Sequence, residues 1–449
     1  MISTQPSAPQ LIGQPTVAAD YKWWVVFMLW FVCFFNYADR QAISSVFPLL
    51  TTEFGFDDVQ LGWIGSSFAW VYAAAAPFAG LAADRTFRKR LIIGACVIWS
   101  FFTLATAFCS GLTTLVLVRA LTGLGETFYF PAAMALLSDY HSSATRSRAM
   151  AWHQSAVYAG TILGSWLAAV LAQQHGWRVP FYLFGPMGIL LALVLTRFLR
   201  EPERGATERP QVVGTVVPAT QDLPKLSFGE TLRLMSRNPP ALLLMGAFIC
   251  ANFVAVIFLT WTPKFLVEKF HYSIGAAGLT GTVYIHLASA LTVPLAGWLA
   301  DRLSRRLAAG RMVVQCAGLT AGALFVYLVG STTSTTTLLL SMTFFGVCKG
   351  FYDSGIFAAL YDTIEPRARG TAAGLMNTIG WTGGALGPVA VGFATKYGRH
   401  AKLIDNMSEA IAFGAIVYVA GAILLLLAAL IFARQRGTSA IGSAGACST

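Results

Sequence analysis

The chain has 449 residues, 56% of them hydrophobic and 11% charged, with a mean hydropathy of +0.63 and a net charge of +11. A soluble domain carries about 25% charged residues, so a water-facing surface of this size could not be solvated, and a soluble enzyme or scaffold is excluded. The basic excess suggests a polyanionic partner only until its placement is read.

Residues 1–21 are polar, hold no Lys or Arg, and lack a small-residue cleavage site, which predicts a cytoplasmic tail and not a signal peptide. Twelve apolar segments follow, at about 23–50, 60–82, 91–109, 112–138, 149–172, 180–199, 241–262, 274–299, 312–330, 336–361, 370–394 and 409–433. Each is near or above the roughly 20 residues that a helix needs to cross a bilayer core. Residues 22–199 therefore form a first bundle of six helices and 241–433 a second. Between them, 200–240 is a cytoplasmic linker, with "EPERGATERPQVVGTVVPATQDLP" followed by "FGETLRLMSR", an amphipathic surface helix. A cytoplasmic tail, 434–449, ends the chain.

Twelve crossings put most of the 31 Lys and Arg on the side of the N-terminus. Only Arg178, Lys264, Lys269, Lys396, Arg399 and Lys402 fall on the other side, and Arg40, Arg119 and Lys349 fall within the membrane. Such asymmetry places both termini in the cytoplasm. The charge thus reports topology, and no nucleic-acid partner is expected. The seven cysteines are scattered, without C-x-x-C or metal spacing, and read as packing residues.

The two bundles repeat each other. "GLAADRTFRKR" (80–90) follows segment 2 and "GWLADRLSRRL" (297–307) follows segment 8. "GLGETFYFPAAMALLSDY" (123–140) ends segment 4 and "GVCKGFYDSGIFAALYDT" (346–363) ends segment 10. Matched halves with a site between them are the symmetry of an alternating-access transporter.

An ionisable group inside a membrane helix costs at least ~2.5–3.5 kcal/mol, so each is a functional candidate. Asp39 and Arg40 lie in segment 1, Arg119 and Glu126 in segment 4, and Lys349 and Asp353 in segment 10. Arg119 and Glu126, two turns apart, share a helix face. Tyr37 and Arg40 also share a face, whereas Asp39 points about 100° away and needs another partner or a proton. Aligning "GLGETFY" with "GVCKGFY" puts Glu126 opposite Lys349, with the sign reversed, as a switchable pair that attract each other directly or through water. Guanidinium forks suit carboxylate and phosphate, and carboxylates in a low-dielectric cavity can load a proton near neutral pH. Arg40, Arg119 and Lys349 are thus candidate anion ligands; Asp39 and Glu126 are candidate proton carriers.

The spacing G-x-x-x-D-R-x-x-R-[KR]-[KR], present twice, resembles the signature loop of the major facilitator superfamily, although Phe87 stands where Gly is usual. The resemblance implies an all-α membrane protein, with twelve transmembrane helices in two pseudo-symmetric six-helix bundles, and helices 1, 4, 7 and 10 lining the cavity. "NYADR", "RALTGLGE", "TWTPKFL" and "NTIGWTGGALGP" are similar to anion:cation symporters of sugar acids, carboxylates and phosphate. "GWIGSSFAWVYAAAAPFAGLAADRTFRKR" and "REPERGATER" look like Spinster-type transporters, which are linked to lysolipids. The symporter resemblance implies that Tyr37, Tyr72, Gln154 and Asn377 contact substrate. Resemblance and placement together imply an inner gate of Asp84, Arg85, Arg88, Asp139, Arg146, Arg148, Asp301, Arg302, Arg305 and Asp362.

Plainer readings stand beside these. Asp39–Arg40 and Arg119–Glu126 could be structural braces, and Lys349 could pair only with Asp353 at i,i+4. His153, His286, Trp261 and Trp381 read as packing residues. The glycines Gly380, Gly383, Gly384 and Gly387, and the pair Gly160 and Gly164, read as close-packing positions. No H-E-x-x-H, G-x-S-x-G, P-loop or Cys/His set points to an enzyme or a cofactor. The sequence-based expectation is a monomeric, proton-coupled symporter of a small organic anion in the cell membrane, taken as a bacterial inner membrane. The alternatives are a Spinster-like carrier of an amphipathic anion and a non-transporting sensor.

Overall fold

The structure, a computed structural model, describes residues 20–202, 228–365 and 368–445, and all regular structure among them is helical. Most of the expected linker and the ends of both tails lie outside the described residues. Eight helices are long and apolar enough to cross a membrane: α3 (Asp58–Arg85), α4 (Arg88–Thr106), α7 (Ser143–His175), α8 (Val179–Phe198), α10 (Pro239–Phe270), α11 (Ile274–Ser304), α12 (Gly310–Ser331) and α16 (Leu403–Gly445). Three further spans are broken: α1 (Tyr21–Ser45) with α2 (Phe47–Phe54), α5 (Leu112–Thr127) with α6 (Tyr129–Tyr140), and α13 (Thr335–Asp353) with α14 (Ile356–Thr363). The twelfth is α15 (Arg369–Tyr397), lengthy but rich in Gly and Thr. Between the halves α9 (Phe228–Ser236) buries Thr231 and Met235 and exposes Leu232.

The breaks have local causes. Pro48 opens α2 and Pro131 lies in the first turn of α6. A proline there has no N–H to give and its ring crowds the carbonyl four residues back, so the preceding helix must stop. The third break, at Ser354 and Gly355, has no proline and turns on a glycine. The three broken spans are also the three that carry the intramembrane charges.

Trp24, Phe27, Phe78, Leu291, Leu295 and Trp298 are all more than half exposed. Such an outer surface suits lipid and not water. Lipid tails are as apolar as leucine, so helices hold together by close van der Waals packing at small residues. A Cβ on Gly160 would sit 2.4 Å from the Phe34 carbonyl oxygen, and one on Gly164 2.3 Å from the Ala38 Cα, so α7 lies directly on α1. Gly383 and Gly387 similarly admit the Ile249 and Phe253 carbonyls of α10 to α15.

The halves meet along α3 with α15 and α7 with α11, and they do so mostly at one end. Gly62 fits the Pro388 carbonyl and Gly392 the Asp58 carbonyl. Ser66 donates to the Ala385 carbonyl at 2.6 Å, and Ser165 to that of Gly278 at 2.8 Å. Buried Lys264 pairs with Asp58 and lies 3.4 Å from Glu268, while Lys396 reaches Asp57 at 2.7 Å. Slight burial opposes the charge of Asp57, but hydrogen bonds from Lys396 and the Gln60 N–H outweigh it and hold that carboxyl below its ordinary range.

The α1–α7 contact sets the first prediction. Gly164→Ala overpacks a backbone-to-backbone seam and should destabilise the bundle by about 1–3 kcal/mol, seen as a lower melting temperature in detergent. An unchanged melting curve would mean that the seam is looser than described.

Candidate functional site

The charges of segments 1 and 4 converge. Arg40 donates from both Nε (3.1 Å) and Nη2 (2.7 Å) to one oxygen, Oε2, of Glu126. Its guanidinium is boxed by the rings of Tyr37 (4.6 Å), Phe68 (4.5 Å), Tyr72 (5.3 Å) and Trp381 (5.1 Å). Cation–π contacts of this kind strengthen when desolvated. The four rings fix the direction of the guanidinium. Trp381 belongs to the second half, so Arg40 touches both bundles.

Arg119 is buried one helix face away. Its Nη2 donates to the Arg40 backbone carbonyl at 3.3 Å, and its guanidinium lies 5.4 Å from the Phe68 ring. Asp39, fully buried, turns away from Arg40 as the helical spacing requires and accepts from Thr103 of α4 at 3.2 Å. Asp39, Arg119 and Glu126 lie within electrostatic reach of one another. Three charged atoms in this cluster remain buried without a hydrogen bond: Asp39 Oδ1, Glu126 Oε1 and Arg119 Nε. Leaving such groups unpaired away from water is costly, so the cluster has hydrogen-bonding capacity that its own residues leave unused. With all four ionised, the two acids and two guanidiniums cancel.

Lys349 stands apart. It pairs with Asp353, four residues on, and its field reaches Tyr158 of α7 and His286 of α11. The direct Glu126–Lys349 attraction expected from the repeat is not formed, because each residue has a nearer partner in its own half. Gln154 is exposed and Asn377 half-buried, and among the described residues no hydrogen bond joins either to the cluster. His153 bonds Tyr129 at 2.7 Å, and Trp261 donates to the Pro388 carbonyl at 3.1 Å; both are structural. No group of three or more His, Cys, Asp or Glu among the described residues could hold a metal ion.

At the end away from the Asp58–Lys264 contact, charged residues clamp loops within each half. Arg88 pairs with Asp139 and, at 3.0 Å, with Glu201. Arg146 donates to the Ser138 and His141 carbonyls, both at 3.2 Å, and Arg148 lies 5.2 Å from the Trp23 ring. In the second half Arg311 bridges Asp301 (2.7 Å) and Asp362 (2.6 Å), a role expected of Arg302 and Arg305. Arg302 lies against Trp298 instead, and Arg85 and Arg305 are exposed. The side chain of Asp84 lies outside the described residues. Among the described residues these charges pair within their own half, and no ion pair between them joins the halves at this end.

Sequence reasoning missed Phe68, Thr103 and Trp381 at the cluster, Arg311 and Glu201 in the loops, and the Asp57, Asp58, Lys264 and Lys396 contacts. The sequence places Lys264 and Lys396 only on the side away from the N-terminus. "GWTGG" marked a glycine-rich seam, where a large ring must fill space left by its neighbours; that was the available signal for Trp381.

The family model described as Major Facilitator Superfamily matches residues 29–388 and, separately, 265–446. The chain is 30% identical over 401 residues to sodium-dependent phosphate transport protein 1, chloroplastic, of Arabidopsis thaliana, covering 87% of this chain and 77% of that protein. It is 29% identical to the probable galactarate/D-glucarate transporter of Bacillus subtilis (strain 168), over 83% of this chain and 85% of the relative. Among solved structures, a bacterial homolog to the human lysosomal transporter Spinster, inward-facing and unoccupied, superimposes with a TM-score of 0.74 at 22% identity, covering 94% of this chain and 97% of that one. With the repeat, the two six-helix bundles and the buried charges between them, these likenesses make the chain a membrane transporter that belongs to the Major Facilitator Superfamily.

Proposed function

We propose that the chain carries a small organic anion, a sugar acid or carboxylate, together with a proton by alternating access. The carrying observation is the neutral, under-bonded cluster of Asp39, Arg40, Arg119 and Glu126 inside the membrane. The anion's carboxylate docks on Arg119 Nε and on the Arg40 fork, displacing Glu126. A proton on Glu126 removes its hold on Arg40, and Asp39 is the second carrier. Tyr37 and Tyr72 border the carboxylate; Gln154, Asn377 and Lys349 meet its other groups. Because Arg40 contacts Trp381 across the seam, loading the cluster changes how the halves fit, and differential binding to two states is what couples two fluxes. Relatives whose names speak of phosphate and of galactarate/D-glucarate support an anionic cargo.

The excess of Lys and Arg at the end away from the Asp58–Lys264 contact makes that end cytoplasmic, with both termini there, in a bacterial inner membrane and as a monomer. The conformation is then inward-facing, sealed outside by Asp58–Lys264 and Asp57–Lys396. Closing the inside would re-pair Arg85, Arg88, Arg146, Arg148, Arg302 and Arg305 with Asp84, Asp139, Asp301 and Asp362 across the halves. A Spinster-like amphipathic cargo is the second reading, favoured by the "REPERGATER" segment and the fold likeness. A thermal-shift screen of sugar acids, dicarboxylates, phosphate esters and lysolipids separates the two, because ligands that bind the native state raise its melting temperature.

Arg119→Ala should cut anion uptake into proteoliposomes by about 10- to 100-fold, the loss of one or two hydrogen bonds to a charged group, with folding retained; near-wild-type uptake would remove Arg119 from the site. Glu126→Gln should keep anion exchange and lose acceleration by an inward proton gradient. Undiminished proton-driven accumulation in that variant would move the coupling elsewhere.

A further inference from the structure

A second polar centre lies between the halves and is not used by the cluster around Arg40. His286, more than nine-tenths buried on α11, donates from Nδ1 to the Thr282 carbonyl of its own helix at 2.9 Å. That bond fixes the tautomer: Nε2 carries the lone pair, and no hydrogen bond among the described residues reaches it. The ring of Tyr158, from the other half, lies 6.5 Å from that of His286, and its hydroxyl also has no described hydrogen bond. Lys349 and Asp353 complete the group and neutralise each other.

The chemistry of this set is specific. A second carboxylate would find only Lys349 here, already paired with Asp353, and no guanidinium fork like those of the first cluster. What the centre offers is an acceptor at His286 Nε2, an acceptor at Asp353, a donor at Lys349 and a hydroxyl that does both at Tyr158. Alcohol groups, each donor and acceptor at once, match that pattern. The helix that carries Tyr158, α7, also packs on α1 beside the first cluster: a Cβ on Gly160 would lie 3.0 Å from the Cβ of Tyr37, the residue that flanks Arg40.

We infer that His286, Tyr158, Lys349 and Asp353 form a hydroxyl-reading subsite that selects a polyhydroxylated monoacid over a hydroxyl-free acid or a dicarboxylate. The inference rests on the anion reading above and names its substrate class. Because Tyr158 comes from one half and the other three from the other, a polyol chain held here bridges the halves.

The test is competition in proteoliposomes with gluconate and with hexanoate, which share chain length and a carboxylate but differ in hydroxyls. Wild-type protein should prefer gluconate, and glucarate, with its second carboxylate, should compete less well than gluconate. His286→Phe and Tyr158→Phe should each shrink the gluconate preference by about 10-fold while leaving hexanoate competition unchanged, since a site that has lost its hydroxyl partners no longer distinguishes the two. His286→Gln, which retains an acceptor, should keep most of it, and this separates recognition from a packing defect. If gluconate competes and both Phe variants retain wild-type preference, or lose both acids equally while His286→Gln does the same, the subsite is wrong and the anion reading stands. If glucarate outcompetes gluconate, the assignment to monoacids falls. If neither acid competes in wild-type protein while phosphate or a lysolipid does, both readings fall.

Discussion

The arrangement depends on one ion pair in the wrong solvent. Arg40 and Glu126 meet inside a bilayer-spanning bundle, and breaking a buried pair by removing one partner leaves an uncompensated charge, a loss of about 3–5 kcal/mol. Around this pair the rings of Tyr37, Phe68, Tyr72 and Trp381 replace water, and the Arg40 carbonyl receives Arg119. Glu126 sits one residue before the end of α5, beside the break that Pro131 imposes on span 4. On the proposed function, stability and transport chemistry act on the same atoms. The pair uses one Glu126 oxygen and leaves the other without a hydrogen bond, beside the Asn36 amide; on the proposed function it is opened by a proton or by a competing anion.

The second dependence is the seam between the halves. Gly62 against Pro388, Gly392 against Asp58, and Gln41 Nε2 on the Leu259 carbonyl at 2.5 Å bring backbone onto backbone. Arg40 and Trp381 lie at one end of this packing, and the ion pairs of Asp58 and Asp57 lie at the other. A change at Arg40 is thus transmitted through rings and small residues already in contact. Packed cores of this kind have discrete arrangements in place of a continuous range, which is the requirement for alternating access.

Much of this was legible in the sequence. Hydropathy is one-dimensional information, so the twelve spans and the two-fold repeat could be read directly, and so could the expensive charges. Helical spacing also gave the right local directions: Asp39 does turn away from Arg40, and it finds Thr103. Partner choice was less accessible. Glu126 was matched to Lys349 on sign and symmetry, but symmetry fixes positions relative to an axis and not distances across it, and Arg40 was nearer. Lys349 took the plainer i,i+4 option. The tautomer of His286 was not legible, because it depends on where the Thr282 carbonyl points. The Asp58–Lys264 pair was invisible because "FDDVQ" and "TPKFL" lie in different halves and meet only once both are folded.

The claim that anion and proton share one neutral cluster can be measured without transport. Purified protein in weak buffer near neutral pH, titrated with its sugar acid, should take up about one proton for each anion bound, as linkage requires when binding favours the protonated form. Glu126→Gln should bind with markedly reduced uptake. Saturable binding to wild-type protein with no net proton exchange across neutral pH would contradict the account.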